Sequence, residues 1–380
     1  MKKLKDFNFK EKNVLVRCDF NVPVSDRGEV LDEFRIKMTL PTIEYLIEKG
    51  ARVILMSHLE KGEKKVTLKS IIPVLERLLK KKIEFLSHYL TKNARFQIEQ
   101  MPPGTVILLE NLRFHKGEKE NDRVFAKKIS ALGDVFVNEA FSACHRNHAS
   151  IVGIPRYLPK SAGLLLEKEV KMLSQLLKKP ASPFVAIIGG IKIETKIKTI
   201  LNILTIADHL LLGSKIGEVI LAQKGILLGR HFPQENLIDK IDLTCLKLHI
   251  PLDGMIALKD RDEQYLRRGG VGTLRGEEEV FDIGPETIKI FKEVINGAKT
   301  ILWNGPLGMY EDKRFEAGTR EIASAIVRNY PALKIAGGGD TVAAIHKFNL
   351  TKKFDFISTG GGALLEFLTG EQLAGIKALG

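Results

Sequence analysis

Short apolar runs and amphipathic stretches follow one another along almost the whole chain. Val14-Leu15-Val16 and the runs at 52–56, 105–109 and 134–137 have the length and composition of buried strands. Between them, 36–49 places apolar residues at helical spacing and stops at Gly50. A second helix is expected from a Thr67 cap to about Lys80, and a third from an Asn121 cap to near Gly133. A longer amphipathic stretch follows at 162–179, with Leu165, Glu169, Met172, Leu173 and Leu176 on one face and Pro180 and Pro183 closing it. The alternation then restarts. Strands are expected at 184–188, 209–212, 300–303, 333–336 and 354–357. Helices are expected from about Ile191, up to about Lys224, from Pro285 to near Gly297, over 314–328 and after Gly362. No internal repeat is visible, but the architecture is doubled. The pattern predicts an α/β chain of two doubly wound, mostly parallel-sheet (Rossmann-like) domains joined by a connector helix and hinge. The first would cover 1–165 and the second 166–366, with the connector at about 162–179.

Length and composition agree with this. At 380 residues the chain has room for two full cores, and 44% hydrophobic with 28% charged residues is the balance of a globular protein. The formal net charge is +13, from 59 Lys and Arg against 46 Asp and Glu. A basic surface suits anionic partners such as phosphorylated metabolites, nucleotides or nucleic acid. Runs such as Lys80-Lys81-Lys82 read as solvated surface, however, and account for most of the excess. Cys18, Cys144 and Cys245 are scattered, with neither metal spacing nor a disulfide framework, which favours a reducing compartment. The N-terminus has no signal-peptide core, and no apolar run reaches the ~18 residues of a membrane span. The expectation is a cytoplasmic protein without a membrane partner.

The unusual residues fall where strands end, which is where open α/β sheets bind ligands. In the first half these are Arg17-Cys18-Asp19-Phe20-Asn21, Ser57-His58, the run Glu110 to His115 with Arg113, Asn138 to Phe141, and His145-Arg146-Asn147-His148; Arg35 opens the first helix. Arginines and histidines converging on one edge would bind a small anion, since the guanidinium fork matches carboxylate and phosphate. The spacing of His145 and His148 lacks the partners a zinc site needs. In the second half the strand ends carry glycine and lysine: Gly189-Gly190-Ile191-Lys192 through Lys196, then Gly213, then Trp303-Asn304-Gly305-Pro306, and Gly337-Gly338-Gly339-Asp340-Thr341. Lys192 and Lys196 would share a helix face near its N-terminus, where an anion relieves their repulsion. The last glycine run followed by a helix is suited to phosphate oxygens, and Asp340 to their Mg²⁺. One half thus offers a small-anion site and the other a nucleotide-phosphate site, the layout of a two-substrate phosphotransferase that closes to exclude water. No Walker A, protein-kinase or Ser/His/Asp motif set is present.

Taken together and in order, these segments resemble the phosphoglycerate kinases over essentially the whole chain. The match includes Arg17 to Pro23, Ser57-His58-Leu59, Leu109 to His115, Phe136 to Phe141, His145 to His148, Gly189 to Lys192, Asp282-Ile283-Gly284-Pro285, Trp303 to Pro306, Gly337 to Thr341 and Ser358 to Ala363. The resemblance implies reversible phosphoryl transfer between ATP and the carboxylate of 3-phosphoglycerate, in glycolysis and gluconeogenesis, with Mg²⁺. It implies that Asp19, Asn21, Arg35, His58, Arg113 and Arg146 bind the phosphoglycerate, with Phe20 between two of those contacts. It further implies that Lys196, Gly213, Asn304, Glu311, Gly338, Gly339, Asp340 and Thr341 bind the nucleotide, and that Asp340 holds the metal. Arg35, Lys192 and Lys196 would be catalytic, surrounding the phosphoryl group in flight. Thr359 and Gly360 would reach the substrate and contribute to closure, and the tail, about 367–380, would pack back on the first domain. A monomer working on two small-molecule substrates is expected.

Three positions depart from the family pattern. After Ser57-His58-Leu59 the family usually has Gly-Arg-Pro, and here Glu60-Lys61-Gly62 follows, so that Lys61 would replace the substrate arginine as a point charge. The glycine run expected against the adenine reads Gly213-Ser214-Lys215-Ile216-Gly217, and Val280 stands where a glycine is common. The last two departures lie on the base side of the nucleotide site, which predicts intact transfer with a reshaped base pocket. A non-catalytic binding protein would need one of Arg35, Lys192, Lys196 or Asp340 to be lost, and all are present. Nucleic-acid binding lacks a motif, and aromatics are only 7%. A dehydrogenase lacks the first-strand Gly-x-Gly-x-x-Gly and its acidic partner.

Overall fold

The computed structural model describes residues 1–227, 238–261 and 265–380. The chain forms two units, residues 1–172 with 372–380, and residues 173–371. In the first, β1 (Asn13–Arg17), β2 (Arg52–Met56), β3 (Ile83–Leu86), β4 (Val106–Leu109), β5 (Val135–Asn138) and β6 (Lys160–Ala162) pair in the order β3-β4-β2-β1-β5-β6. All these pairings are parallel. β1, β4 and β5 are buried along their whole length, as strands covered on both faces must be. After β1 the chain turns toward β2, and after β5 it turns the opposite way. The crevice where the winding reverses therefore lies between β1 and β5, beyond their carboxyl ends.

The second unit repeats this logic. β7 (Phe184–Ile188), β8 (His209–Leu212), β9 (Leu248–His249), β13 (Thr300–Asn304), β14 (Leu333–Gly337) and β15 (Phe356–Ser358) form a parallel sheet in the order β9-β8-β7-β13-β14-β15. Its winding reverses between β7 and β13. A separate antiparallel sheet, β11-β10-β12, is built from β10 (Asp253–Leu258), β11 (Arg267–Gly270) and β12 (Glu278–Ile283). Among the described residues no helix is long and apolar enough to cross a membrane.

Several element ends differ from the sequence expectation, each for a local reason. Asp122, not Asn121, caps the helix Arg123–Ser130: its carboxylate accepts the Phe125 N–H at 2.7 Å, while Asn121 sits at φ +53° in the turn before. Thr67 caps a short 3-10 turn, Leu68–Ile71, that leads into the helix Ile72–Leu79. The connector helix is Leu164–Lys178, because Ala162 is still paired in β6. The helix expected from Ile191 begins at Ile197, with Lys196 as its N-cap residue. The helix expected over 314–328 begins at Ala317, where Asp282 holds the Gly318 N–H at 2.6 Å. The antiparallel sheet was not foreseen, since glycines and charges such as Arg267, Arg268, Glu278 and Glu279 obscure its period.

Two helices are capped from a distance. Glu139, fully buried beyond β5, accepts the N–H groups of Leu165 and Leu166 at 3.1 and 3.3 Å, at the start of the connector helix. Asp253, on β10, accepts the N–H groups of Glu286 and Thr287 at 3.1 and 2.9 Å and the Thr287 hydroxyl at 2.7 Å. The helix Pro285–Asn296 needs this because its own N-cap residue, Gly284, has no side chain to offer. The Gly284 site is filled by Asp253: a Cβ there would stand 2.3 Å from the Asp253 carboxyl. Asp253→Ala is expected to cost about 1–2 kcal/mol of stability, the range of a lost N-cap. A thermal transition of the second unit that does not move would refute this.

Candidate functional site

The loop after β1 turns Arg17 inward, to 1% exposure. Its Nε donates to Ser150 Oγ at 2.8 Å, its Nη2 reaches His58 Nδ1 at 3.1 Å, and its Nη1 donates to the Cys18 carbonyl. Glu118, fully buried, accepts from Ser150 through both its hydroxyl and its N–H, at 2.6 and 2.9 Å. Arginine only donates, so His58 Nδ1 is an acceptor and the ring proton sits on Nε2. Burial, then the charges of Arg17, Arg113, Arg146 and His148, push the His58 pKa well below its usual value. His148 is likewise held down to about 4, by burial first and then by Arg113, Arg146, Arg17 and Lys119. Three guanidiniums thus lie close enough to act on the same two rings, and both rings stay neutral at pH 7.

The acids at this edge are few. Asp19 pairs with Arg35 at 3.0 Å and accepts from the Asn21 N–H at 3.1 Å and the Ser142 hydroxyl at 2.5 Å. Arg35 also donates to the Asn21 carbonyl at 3.1 Å, so its position is set before any ligand arrives. Arg113, 4% exposed, donates Nη1 to the Glu60 carboxylate, while its Nε and Nη2 have no hydrogen-bond partner among the described residues. Lys119 pairs with the same carboxylate at 3.3 Å.

In the second unit the loops after β7 and β13 meet backbone to backbone. The Gly189 N–H donates to the Asn304 carbonyl at 2.9 Å and the Gly190 N–H to the Pro306 carbonyl at 2.8 Å. A Cβ on Gly189 would fall 1.9 Å from the Pro306 oxygen, and Gly305, at φ +92°, would strike Gly189. Only glycine permits this approach. Beside it opens a cavity of about 490 Å³ whose lining includes Gly190, Lys192, Lys196, Leu307, Glu311 and Asp340. Lys196 folds its Nζ back onto the Gly189 carbonyl; burial lowers its pKa to about 8, against the opposing pull of Asp340. Lys215, Glu279 and Val280 line the same cavity, and Lys215 pairs with Glu279 and Glu218, each at 3.3 Å.

The sequence-predicted residues divide by what their side chains do here. Asp19, Asn21, Arg35, His58, Arg113 and Arg146 gather at one edge of the first unit. Phe20 is at the same edge, but its ring is fully buried in the core. Lys61 pairs with Asp26, which is fully exposed, so its charge is spent toward solvent on a two-residue hairpin strand. Lys192 and Lys196 do not share a helix face, since 191–196 is a loop; both reach the cavity from that loop. Asn304 donates to the Gly337 carbonyl at 2.8 Å, and the Thr341 hydroxyl accepts the Gly305 N–H at 2.6 Å, so both side chains brace the loops. Gly213 packs on Gly189, a Cβ there standing 2.8 Å from its Cα. The helix Gly339–Lys347 starts right after Gly338 at φ +104° and presents exposed Asp340 in its first turn. Thr359 and Gly360 follow β15, with the Gly360 N–H on Ser358 Oγ at 3.1 Å. The Ser214 side chain lies outside the described residues. Sequence reasoning missed Glu60, Glu118, Ser150 and Lys119; only Glu60 carried a signal, as a departure from the family pattern.

One consequence concerns acid stability. The His148 pKa falls from 6.5 to about 4 on folding, so the unfolded chain binds its proton first. This contribution to stability is complete above pH 6.5 and is lost as pH falls toward 4. His148→Asn is expected to flatten the loss over that window in urea titrations; an unchanged slope would remove His148 as a cause.

Comparison with known proteins gives the same answer from each direction. The family model described as phosphoglycerate kinase matches residues 4–371. Phosphoglycerate kinase of Borrelia garinii subspecies bavariensis is 44% identical over 395 residues, covering 100% of this chain and 99% of its own. That of Clostridium botulinum is 42% identical over 401 residues, covering 100% and 98%. Among solved structures, phosphoglycerate kinase from Coxiella burnetii superposes with a TM-score of 0.84 at 36% identity, and that from Pyrococcus horikoshii with 0.88 at 32%. Each superposition covers 100% of this chain and 98% of the other. The chain belongs to the phosphoglycerate kinase family and is a phosphotransferase enzyme.

Proposed function

We propose that this enzyme transfers phosphate reversibly between ATP and the carboxylate of 3-phosphoglycerate, the acceptor binding the first unit and the nucleotide the second. The observation that carries the acceptor assignment is Arg113, a buried guanidinium with two unpartnered nitrogens beside Arg17, Arg146 and two neutral histidines. A small ligand with two anionic ends supplies what that edge lacks. Neutral His58 retains an Nε2–H to donate. The attacking carboxylate is already ionised at pH 7, so no general base is needed. The remaining work is to align two anions and to offset charge on the moving group, which Arg35, Lys192 and Lys196 do as positioned cations. Closure of the two units around their substrates would keep water out.

Mg²⁺ fits the donor set. Asp340 stands exposed at a helix start, and among the described residues no group of three or more His, Cys, Asp or Glu could hold a metal alone. A single carboxylate plus phosphate oxygens is how Mg²⁺ is usually held in such sites. When bound beside Asp340, the ion would offset the charge of the phosphate oxygens. Glycine backbones of 337–339, the loop lysines and the 490 Å³ cavity take the remainder of the nucleotide. With Lys215, Glu279 and Val280 on its wall, the base pocket is expected to bind adenine with reduced affinity or selectivity. We further propose a cytoplasmic monomer without nucleic-acid or membrane partners, in keeping with three free cysteines.

A coupled assay of ATP with 3-phosphoglycerate tests the reaction: turnover should require Mg²⁺, and Arg35→Ala should lose about 10²–10³ in kcat, the scale of one lost transition-state donor. Wild-type protein without Mg²⁺-dependent turnover would remove the proposal. The ratio of kcat/KM for ATP and GTP tests the base pocket, and a strong ATP preference at ordinary affinity would count against it. The Lys196 pKa of about 8 should rise when polyphosphate binds, so ADP affinity should weaken as pH climbs through 8. An ADP affinity independent of pH between 7 and 9.5 would exclude Lys196 from the phosphate site.

A further inference from the structure

We infer that Glu60 is a built-in competitor for the anion site of the first unit: its carboxylate holds, on Arg113 and Lys119, a place that an anionic end of the acceptor must take. The inference rests on the acceptor assignment proposed above and identifies a residue that sets its affinity. Four observations carry it. Among the described residues the Glu60 carboxylate meets only cations of this edge, Arg113 through one oxygen and Lys119 through the other at 3.3 Å. Its side chain is 18% exposed where Arg113 is 4%, so it lies on the solvent side of the guanidinium and can be displaced. Its contact is through one nitrogen of Arg113, leaving Nε and Nη2 unpartnered, whereas a phosphate or carboxylate can take two donors of the fork at once.

The fourth observation separates this role from a structural one. The backbone at Glu60 is fixed without its side chain, because its N–H donates to Asn21 Oδ1 at 2.9 Å. The buried charge beneath the site is balanced by Glu118 through Ser150, not by Glu60. The neighbouring Lys61 turns outward to Asp26, so the hairpin directs its acid into the site and its base away. A neutral residue at 60 would leave Arg113 with another unpartnered donor and no internal anion to expel.

The test is Glu60→Gln and Glu60→Gly, read by titration calorimetry with 3-phosphoglycerate and, separately, with inorganic sulfate, together with KM and kcat. Both variants should bind both anions more tightly, by roughly tenfold, the equivalent of one charge-assisted hydrogen bond worth about 1.4 kcal/mol. KM for 3-phosphoglycerate should fall in parallel. Affinities within twofold of wild type, or a KM that rises while kcat drops, would overturn the inference in favour of Glu60 as a brace for Arg113. Two substitutions guard against one failing to fold, which thermal melts would reveal. If the wild type neither binds nor turns over 3-phosphoglycerate, the functional proposal fails, while the sulfate arm still decides whether Glu60 guards an anion site.

Discussion

A guanidinium cannot give up its proton, so burying Arg17 to 1% exposure commits everything around it. Each of its three nitrogens needs an acceptor and has one, in Ser150, the Cys18 carbonyl and His58. Its charge must be opposed, and Glu118 does so from full burial, relayed through Ser150. The consequences spread to the rim. His58 must accept from Arg17, which fixes its tautomer. His58 and His148 cannot also be charged, which keeps them as neutral donors or acceptors. Arg113 and Arg146 add cations that Glu118 alone does not offset, so the edge is left electropositive toward small anions.

The second unit depends on a different constraint, backbone proximity. The reversal of winding between β7 and β13 lets Gly189 and Gly190 donate to the Asn304 and Pro306 carbonyls, an approach that a Cβ on Gly189 would prevent. That contact lines up the loop carrying Lys192 and Lys196 with the loop carrying Leu307 and Gly308 around one cavity. Asp282 stabilises the far side: it accepts from the Gly318 and Ile283 N–H groups at 2.6 and 3.0 Å, and burial raises its pKa to about 7. Cβ atoms on Gly308 or Gly318 would strike it, at 2.0 and 2.3 Å. Gly189, Gly305, Gly308 and Gly318 therefore mark where loops press on each other or on a buried carboxylate.

The fold was readable because both sheets bury strands on two faces, and such strands announce themselves as apolar runs between helical patterns. Where burial is one-sided the signal failed: β10 to β12 carry glycine and charge, and Lys160–Ala162 is too short to stand out. The site was readable as residue types at strand ends, but not as partnerships. Lys61, expected as the substitute cation because it occupies the position of an arginine, pairs with Asp26 in this structure. Glu60 next to it, which sequence reasoning passed over, is the residue that enters the site. Thr341 and Asn304, expected at the nucleotide, also hold loops together through their side chains, which their types alone do not announce. Spacing predicts which edge a residue reaches, and the register of its neighbours decides which way it points.

The two units also solve one problem in opposite ways. An anion site without its anion is a cluster of like charges, and holding it folded is costly. Arginine cannot shed charge, so the first unit keeps internal acids at hand: Asp19 on Arg35, Glu60 on Arg113 and Lys119, Glu118 beneath Arg17. The second unit buries a lysine, whose pKa falls to about 8, so that part of the charge is surrendered while the pocket waits. The arginine strategy fixes geometry, and where an internal acid faces the ligand's place, as Glu60 does, it does so at the expense of affinity. The lysine strategy avoids the rival and accepts a dependence on pH. A guanidinium fork fixes an oxyanion by its geometry, whereas a lysine offers a flexible point charge.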